Sequence, residues 1–216
     1  MMERIICLLI GYVFGLFQTG YLYSKKHHFD IRNHGSGNAG ATNVLRTMGL
    51  KAGAVTFLGD AFKCIFAVLL VKMIFKNTQA DILPLLALYA GFGAVLGHNY
   101  PFYMNFKGGK GIAVTAGIIA STDWRLTIVC LVIFVGVVAI TRYVSLGSLF
   151  ISLAFFVGVV ILGQAGEFGM ASNDLMEMYV VALLFVVSAF IRHRANIRRL
   201  LNGTENKISF GKKEGK

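Results

Sequence analysis

The chain has 216 residues, 56% of them apolar and only 14% charged, with a mean hydropathy of +0.68. Soluble domains carry about 25% charged residues, so an ordinary globular protein is excluded, and intrinsic disorder with it. Lys and Arg number 21 against 10 Asp and Glu, a net charge of +11; on so apolar a chain this reads as the basic face of a membrane protein, not as a nucleic-acid footprint.

Apolar segments are predicted near residues 5–22, 53–75, 82–100, 110–122, 125–141, 143–163 and 175–191. A spanning helix needs about 20 residues, and six of the seven come close. The first is read as a retained helix. Only Arg4 precedes it, its apolar run exceeds the ~7–15 residues of a signal core, and Ser24, Lys25 and Lys26 follow where a cleavage site would stand.

After it comes His34-Gly35-Ser36-Gly37-Asn38-Ala39-Gly40-Ala41-Thr42-Asn43-Val44-Leu45-Arg46. Glycines at 35, 37 and 40 would let backbone N–H groups converge on an anion. Ser36, Asn38, Thr42 and Asn43 add polar side chains, and Arg46 a bidentate fork for phosphate. A capped glycine turn is the bland alternative. In the second segment Asp60 and Lys63 stand i, i+3 and are read as a structural pair or as support for a neighbouring site, costly in hydrocarbon unless satisfied.

The third segment ends in His98-Asn99-Tyr100-Pro101 and Asn105-Phe106-Lys107-Gly108-Gly109-Lys110-Gly111, which opens the fourth. Two lysines in a glycine turn at a helix start make an anion site. It is not a Walker loop, because Gly111 rather than Ser or Thr follows Lys110. The fourth segment, 110–122, is short, either a span packed among others or a re-entrant half helix. Arg142-Tyr143-Val144-Ser145-Leu146-Gly147-Ser148 opens the sixth, and Ser145 or Ser148 could face the same pocket. The last segment leads into Arg192-His193-Arg194-Ala195-Asn196-Ile197-Arg198-Arg199-Leu200-Leu201-Asn202-Gly203-Thr204-Glu205, where His193 and Asn196 share a helix face. Anionic-lipid contact would explain the arginines but not that pair.

Seven crossings place 16 of the 21 basic residues on one side and only Arg4, Lys76 and Arg125 on the other, with Lys63 and Lys72 inside the second segment. The expected architecture is therefore an all-α integral membrane protein of seven transmembrane helices, the fourth short. Its N-terminus is expected outside and its C-terminus in the cytoplasm. Residues 1–203 form one membrane-embedded domain and 204–216 a basic, mobile cytoplasmic tail. All three polar motifs then meet the cytoplasmic interface, where a pocket for one or two phosphates could adjoin an apolar groove for a lipid chain. Cys7, Cys64 and Cys130 read as buried apolar residues, not as a disulfide framework or zinc site. Few carboxylates fall on the inner side, so neither metal-clustered phosphotransfer chemistry nor a paired-carboxylate glycosidase is expected. A small transporter or flippase for an anionic lipid is the alternative, although the paired halves usual in transporters are not seen.

SGNAGATNVLR, GHNYPFYMNFKGGKGIA and HRANIRRLLNGTE, in that order, resemble the bacterial acyl-phosphate:glycerol-3-phosphate acyltransferases, the PlsY family. GYLYSKK and RYVSLGS extend the resemblance over nearly the whole chain. It implies a seven-helix enzyme of the bacterial inner membrane that moves a fatty acyl group from acyl phosphate to the 1-hydroxyl of glycerol 3-phosphate. The products are lysophosphatidic acid and phosphate, and a soluble enzyme would supply the acyl phosphate. No cofactor, metal or nucleic acid is implied. By motif, Ser36, His193 and Asn196 would be catalytic; Gly37, Asn38, Gly40, Thr42, Asn43, Arg46, Lys107, Gly108, Gly109, Lys110 and Ser145 would bind substrate. Lys107, Lys110 and the glycine N–H groups would hold the acyl-phosphate head, Arg46 and Asn196 would grip glycerol 3-phosphate, and Ser36 would orient a substrate oxygen. The base would be His193, the most obvious candidate on this face beside His34 and His98, or the substrate's own phosphate. Ala39 stands where the family commonly has proline, Cys64 where glycine is usual, and the residues before Gly20 depart from Ser-Ile-Pro.

Overall fold

The computed structural model describes residues 1–208 and is helical throughout its regular structure. The helices are α1 (Met2–Gly15), α2 (Thr19–Lys26), α3 (Ala41–Met48), α4 (Leu50–Phe75), α5 (Leu83–Asn99), α6 (Ile112–Thr122), α7 (Trp124–Thr141), α8 (Val144–Gln164), α9 (Ser172–Arg192) and α10 (Arg194–Leu201). Among the described residues, six stretches are long and apolar enough to cross a membrane: Met2–Lys26, Leu50–Phe75, Ala80–Met104, Trp124–Thr141, Val144–Gln164 and Ser172–Arg192. α6 has 11 residues, which at ~1.5 Å per residue is about half a bilayer core.

α5 is the central helix, packed on α1, α4, α6 and α9. Its contact with α1 is backbone to backbone. Gly11 and Gly15 on one helix face Gly93 and Gly97 on the other, and a Cβ at any of the four would fall within 1.9–2.3 Å of a carbonyl oxygen across the interface. This is the small-xxx-small packing by which membrane helices approach closely. Outward-facing side chains such as Met73, Val132 and Ile140 are exposed, as expected of a surface that meets lipid.

The first predicted segment is a broken helix. The chain turns at Leu16–Gln18 before α2 begins, and the carbonyls freed by the turn are taken up by side chains. Gln18 Nε2 donates to Gly15, Tyr103 Oη to Leu16 (2.6 Å) and Lys63 Nζ to Phe17. Irregular backbone at this depth is tolerated where the protein itself satisfies it. The other addition is α3, a short amphipathic helix in the connection between α2 and α4, whose Val44 is buried.

Chain direction sorts the polar residues. α2, α5 and α9 end, and α3, α6 and α8 begin, at one end of the bundle. The opposite end is tied by Arg4 to Glu177 (2.6 Å) and Asp174 (3.1 Å), by Tyr89 to Glu177 (2.7 Å), and by Arg125 to Glu167 (2.9 Å).

Candidate active site

A cavity of about 160 Å³ opens at the end of the bundle where the three sequence motifs meet. The first motif supplies Ser36, Asn38, Gly40, Thr42, Asn43 and Arg46. Asn43 shapes this loop. Its Oδ1 accepts from the Ser36 N–H (2.9 Å), and its Nδ2 donates to the carbonyls of His34 (3.0 Å) and Asn38 (2.9 Å). Gly35 is required beside it: φ is +59°, and a Cβ there would lie 2.3 Å from Asn43 Oδ1. Arg46 is half-buried and gives Nη2 to the Asn206 carbonyl (3.1 Å), while its buried Nε has no partner among the described residues.

From the second motif Lys110 lines the cavity and donates to Asn196 Oδ1. From the third come His193, Asn196 and Arg199, and from the start of α8 Ser145 and Ser148. His193 is 2% exposed, and its Nδ1 meets the Ala189 carbonyl at 2.8 Å. A carbonyl only accepts, so Nδ1 carries the proton and Nε2 is left as an acceptor. Burial, reinforced by the Lys110 charge, lowers its pKa to about 4; the ring is neutral near pH 7. Burial likewise brings Lys110 down to about 8, and it lowers Arg46 from the ordinary guanidinium value.

Several expected residues lie elsewhere or do other work. Lys107 is exposed and outside the cavity lining, as is Gly37. Gly108 and Gly109 are buried, but their N–H groups are not free for an anion; they donate to the carbonyls of Asn99 and His98, both at 3.1 Å. Their own carbonyls accept from Arg192, at 2.9 and 2.6 Å. The turn after α5 uses these groups to satisfy the last carbonyls of that helix. In the first motif the Gly37 N–H goes to the His34 carbonyl and the Gly40 N–H to Asn38 Oδ1, both at 3.0 Å. Four N–H groups of the glycine array expected from sequence, those of Gly37, Gly40, Gly108 and Gly109, are thus spent within the loops. Helix N-termini stand in its place. α3, α6 and α8 start with cavity-lining residues, and their first N–H groups have no intrahelical partner.

The sequence also expects a mobile tail from residue 204, but Thr204–Ile208 pack back on the site. Glu205 is 7% exposed and its carboxylate accepts from Asn196 (2.8 Å), Ser145 (3.0 Å) and Arg199 (2.7 Å). Burial alone would raise its pKa, but these three donors outweigh that and leave it lowered. The Ile208 N–H bonds the Arg142 carbonyl at 2.8 Å. Residues 209–216, the rest of the predicted tail, lie outside the described residues. Asp60, which the sequence reads as half of a structural pair or as support for a neighbouring site, lines the cavity together with His98 of the second motif. An aspartate inside an apolar segment was the signal.

Beside the polar cavity runs an apolar groove of about 500 Å³ between α4 and α7, lined by Leu50, Gly53, Phe57, Phe134, Val135 and Val138 among others. The two spaces share Ala41, Thr42, Phe57, Phe134 and Val144, so the groove adjoins the cavity. A donor-rich polar chamber joined to an apolar groove suits a substrate with an anionic head and a hydrocarbon chain.

A family model described as glycerol-3-phosphate acyltransferase matches residues 5–203. The chain belongs to the glycerol-3-phosphate acyltransferase family. A family member from Clostridioides difficile (strain 630) is 43% identical over 209 residues, 94% of this chain and 95% of the relative. One from Thermoanaerobacter sp. (strain X514) is 38% identical over 208 residues, 96% of each chain. Two solved structures of the family share the fold. The glycerol 3-phosphate form of PlsY (YgiH), an integral membrane glycerol 3-phosphate acyltransferase, superposes with a TM-score of 0.80 at 32% identity, covering 95% of this chain and 96% of PlsY. Its lysophosphatidic acid form gives 0.79 at 30% identity, covering 95% of both chains.

Proposed function

We propose that this acyltransferase moves a fatty acyl group from acyl phosphate to the 1-hydroxyl of glycerol 3-phosphate, releasing lysophosphatidic acid and inorganic phosphate. The observation that carries this reading is the adjacency of two spaces: a polar cavity with Arg46, Lys110 and Arg199 on its wall, and an apolar groove that shares part of that wall. Membership of the family and the glycerol 3-phosphate and lysophosphatidic acid forms of PlsY support the acceptor and product. The donor rests on the chemistry of the site. An acyl phosphate carries its own good leaving group, so the protein needs mainly to align hydroxyl with carbonyl and to stabilise developing charge.

In this scheme Lys110 and the α6 N-terminus hold the acyl-phosphate head while the chain lies in the groove between α4 and α7. Arg46 and the α3 N-terminus hold the phosphate of glycerol 3-phosphate, with Ser36, Asn196 and Ser145 orienting substrate oxygens. The hydroxyl attacks the carbonyl carbon, the C–O bond to phosphate breaks, and the hydroxyl proton leaves to His193 Nε2 or to a substrate phosphate oxygen. His193→Ala separates the two routes: a fall in kcat assigns the proton to His193, and a raised KM with kcat unchanged assigns it to phosphate.

Residues 1–203 act as one domain in the bacterial cell membrane. Seven crossings, with α6 as the short one, put the N-terminus outside and the cavity at the cytoplasmic face, where a soluble enzyme would deliver acyl phosphate. The test is acylation of glycerol 3-phosphate by purified protein offered acyl phosphate or acyl-CoA. Product from acyl phosphate alone is expected, and Arg46→Ala should raise the KM for glycerol 3-phosphate about tenfold or more, the worth of a charge-assisted hydrogen bond. No acylation with either donor would overturn the reading.

A further inference from the structure

Beneath the cavity lies a cluster of buried polar side chains that the reaction scheme above leaves unused. Lys63 is 5% exposed, and its ammonium meets three groups: the Phe17 carbonyl, Asp60 Oδ1 (2.9 Å) and His98 Nδ1 (2.9 Å). An ammonium has three donors and no acceptor, so all three are spent and the His98 proton is assigned to Nε2. Asp60 Oδ1 also accepts from Thr19 Oγ1 at 3.0 Å. The second carboxylate oxygen, Asp60 Oδ2, has no partner although the residue is wholly buried.

Buried polar atoms without a partner are rare and call for a reason. Four occur among the described side chains: Gln18 Oε1, Arg46 Nε, Asp60 Oδ2 and Asn99 Oδ1. Only Arg46 and Asp60 belong to residues that line the cavity. One of these atoms is a cationic donor and the other an anionic acceptor. A ligand with phosphate at one end and hydroxyl groups at the other satisfies both.

We propose that Asp60 Oδ2 accepts a hydrogen bond from the 2-hydroxyl of glycerol 3-phosphate, the hydroxyl that is not acylated, and so sets which hydroxyl faces the acyl carbonyl. The inference rests on the acyltransferase reading and adds a regiospecificity determinant to it. Asp60 suits holding a hydroxyl better than deprotonating one. Taking a proton would leave the buried Lys63 ammonium without its counter-charge, a costly state. Thr19 and Lys63 are positioning residues that fix Oδ1 and thereby aim Oδ2.

The test compares glycerol 3-phosphate with propane-1,3-diol monophosphate, which lacks the 2-hydroxyl, in wild type and Asp60→Asn. In the variant the amide oxygen turns to Thr19 and Lys63, so an N–H group faces the cavity. For the wild type, loss of the 2-hydroxyl should lower kcat/KM about ten- to a hundredfold. Asp60→Asn should lose a similar factor on glycerol 3-phosphate, lose little more on the deoxy substrate, and yield a larger share of 2-acyl product. A deoxy substrate that costs the variant as much as the wild type would overturn the assignment. Should Asp60→Asn fail to fold, Thr19→Val keeps the Asp60–Lys63 pair and must show the same non-additivity at smaller size; additive losses there overturn the proposal equally. Wild type that uses both alcohols equally well overturns this inference alone, whereas wild type that acylates neither overturns the acyltransferase reading.

Discussion

At Lys110 burial lowers the ammonium pKa to about 8, with the Glu205 charge opposing it and the charges of Arg199, Arg46 and Arg192 assisting. A phosphate-holding lysine must be protonated in the free enzyme. kcat/KM should therefore hold below pH 8 and fall above a midpoint near about 8. Lys110→Arg keeps a cation at high pH and should move that limb out of range; a limb unmoved in the variant would assign the titration to another group. Arg46 and Lys110 were legible because each charge sits in a glycine-rich motif, and His193 and Asn196 because they share a helix face; all four line one cavity. Glu205 and Asp60 were not. The one stood in what read as a tail, and the other stood next to a lysine that already explained its charge. Which N–H groups are free was also beyond the sequence, because glycine spacing does not show whether a loop folds its own donors inward, as at Gly108 and Gly109.

Among the elements, the apolar runs were legible by length and hydropathy alone, and the long spans fall where the runs do. The break at Leu16–Gln18 was hidden because no proline or charge marks it; it exists because Tyr103, Lys63 and Gln18 take its carbonyls from distant segments. The α1–α5 interface positions the site, since α5 delivers His98 and α1 ends at the Lys63 cluster. Gly97→Val would put a Cβ, 2.1 Å from the Tyr12 carbonyl oxygen, plus two methyl groups into that contact. A loss of about 1–3 kcal/mol is expected from such overpacking. It is measured as a lowered thermal midpoint in detergent, whereas an unchanged midpoint would mean that the helices do not meet there. The Thr204–Ile208 segment behaves as a strap. Glu205→Ala removes the group that joins α8 to α10 and should raise KM for glycerol 3-phosphate as the strap loosens; unchanged KM would make it incidental.

For the whole molecule the asymmetry of charge is the organising feature. The cavity end holds the three motifs, and the far end is closed by acid–base pairs around Arg4 and Arg125. The native cysteines are all buried, so labelling of introduced cysteines has a low background. Ala165→Cys should react with a membrane-impermeant maleimide on intact cells, and Asn33→Cys only after permeabilisation; the reverse pattern would invert the proposed orientation. The net charge of +11, which by itself says only that one face is basic, becomes on this account a pair of phosphate sites joined to a lipid groove. That claim is tested most directly by following purified protein with acyl phosphate and glycerol 3-phosphate and counting both products. The account predicts lysophosphatidic acid and inorganic phosphate in equal amounts. Phosphate released without acylated glycerol 3-phosphate, or no turnover at all, would contradict it.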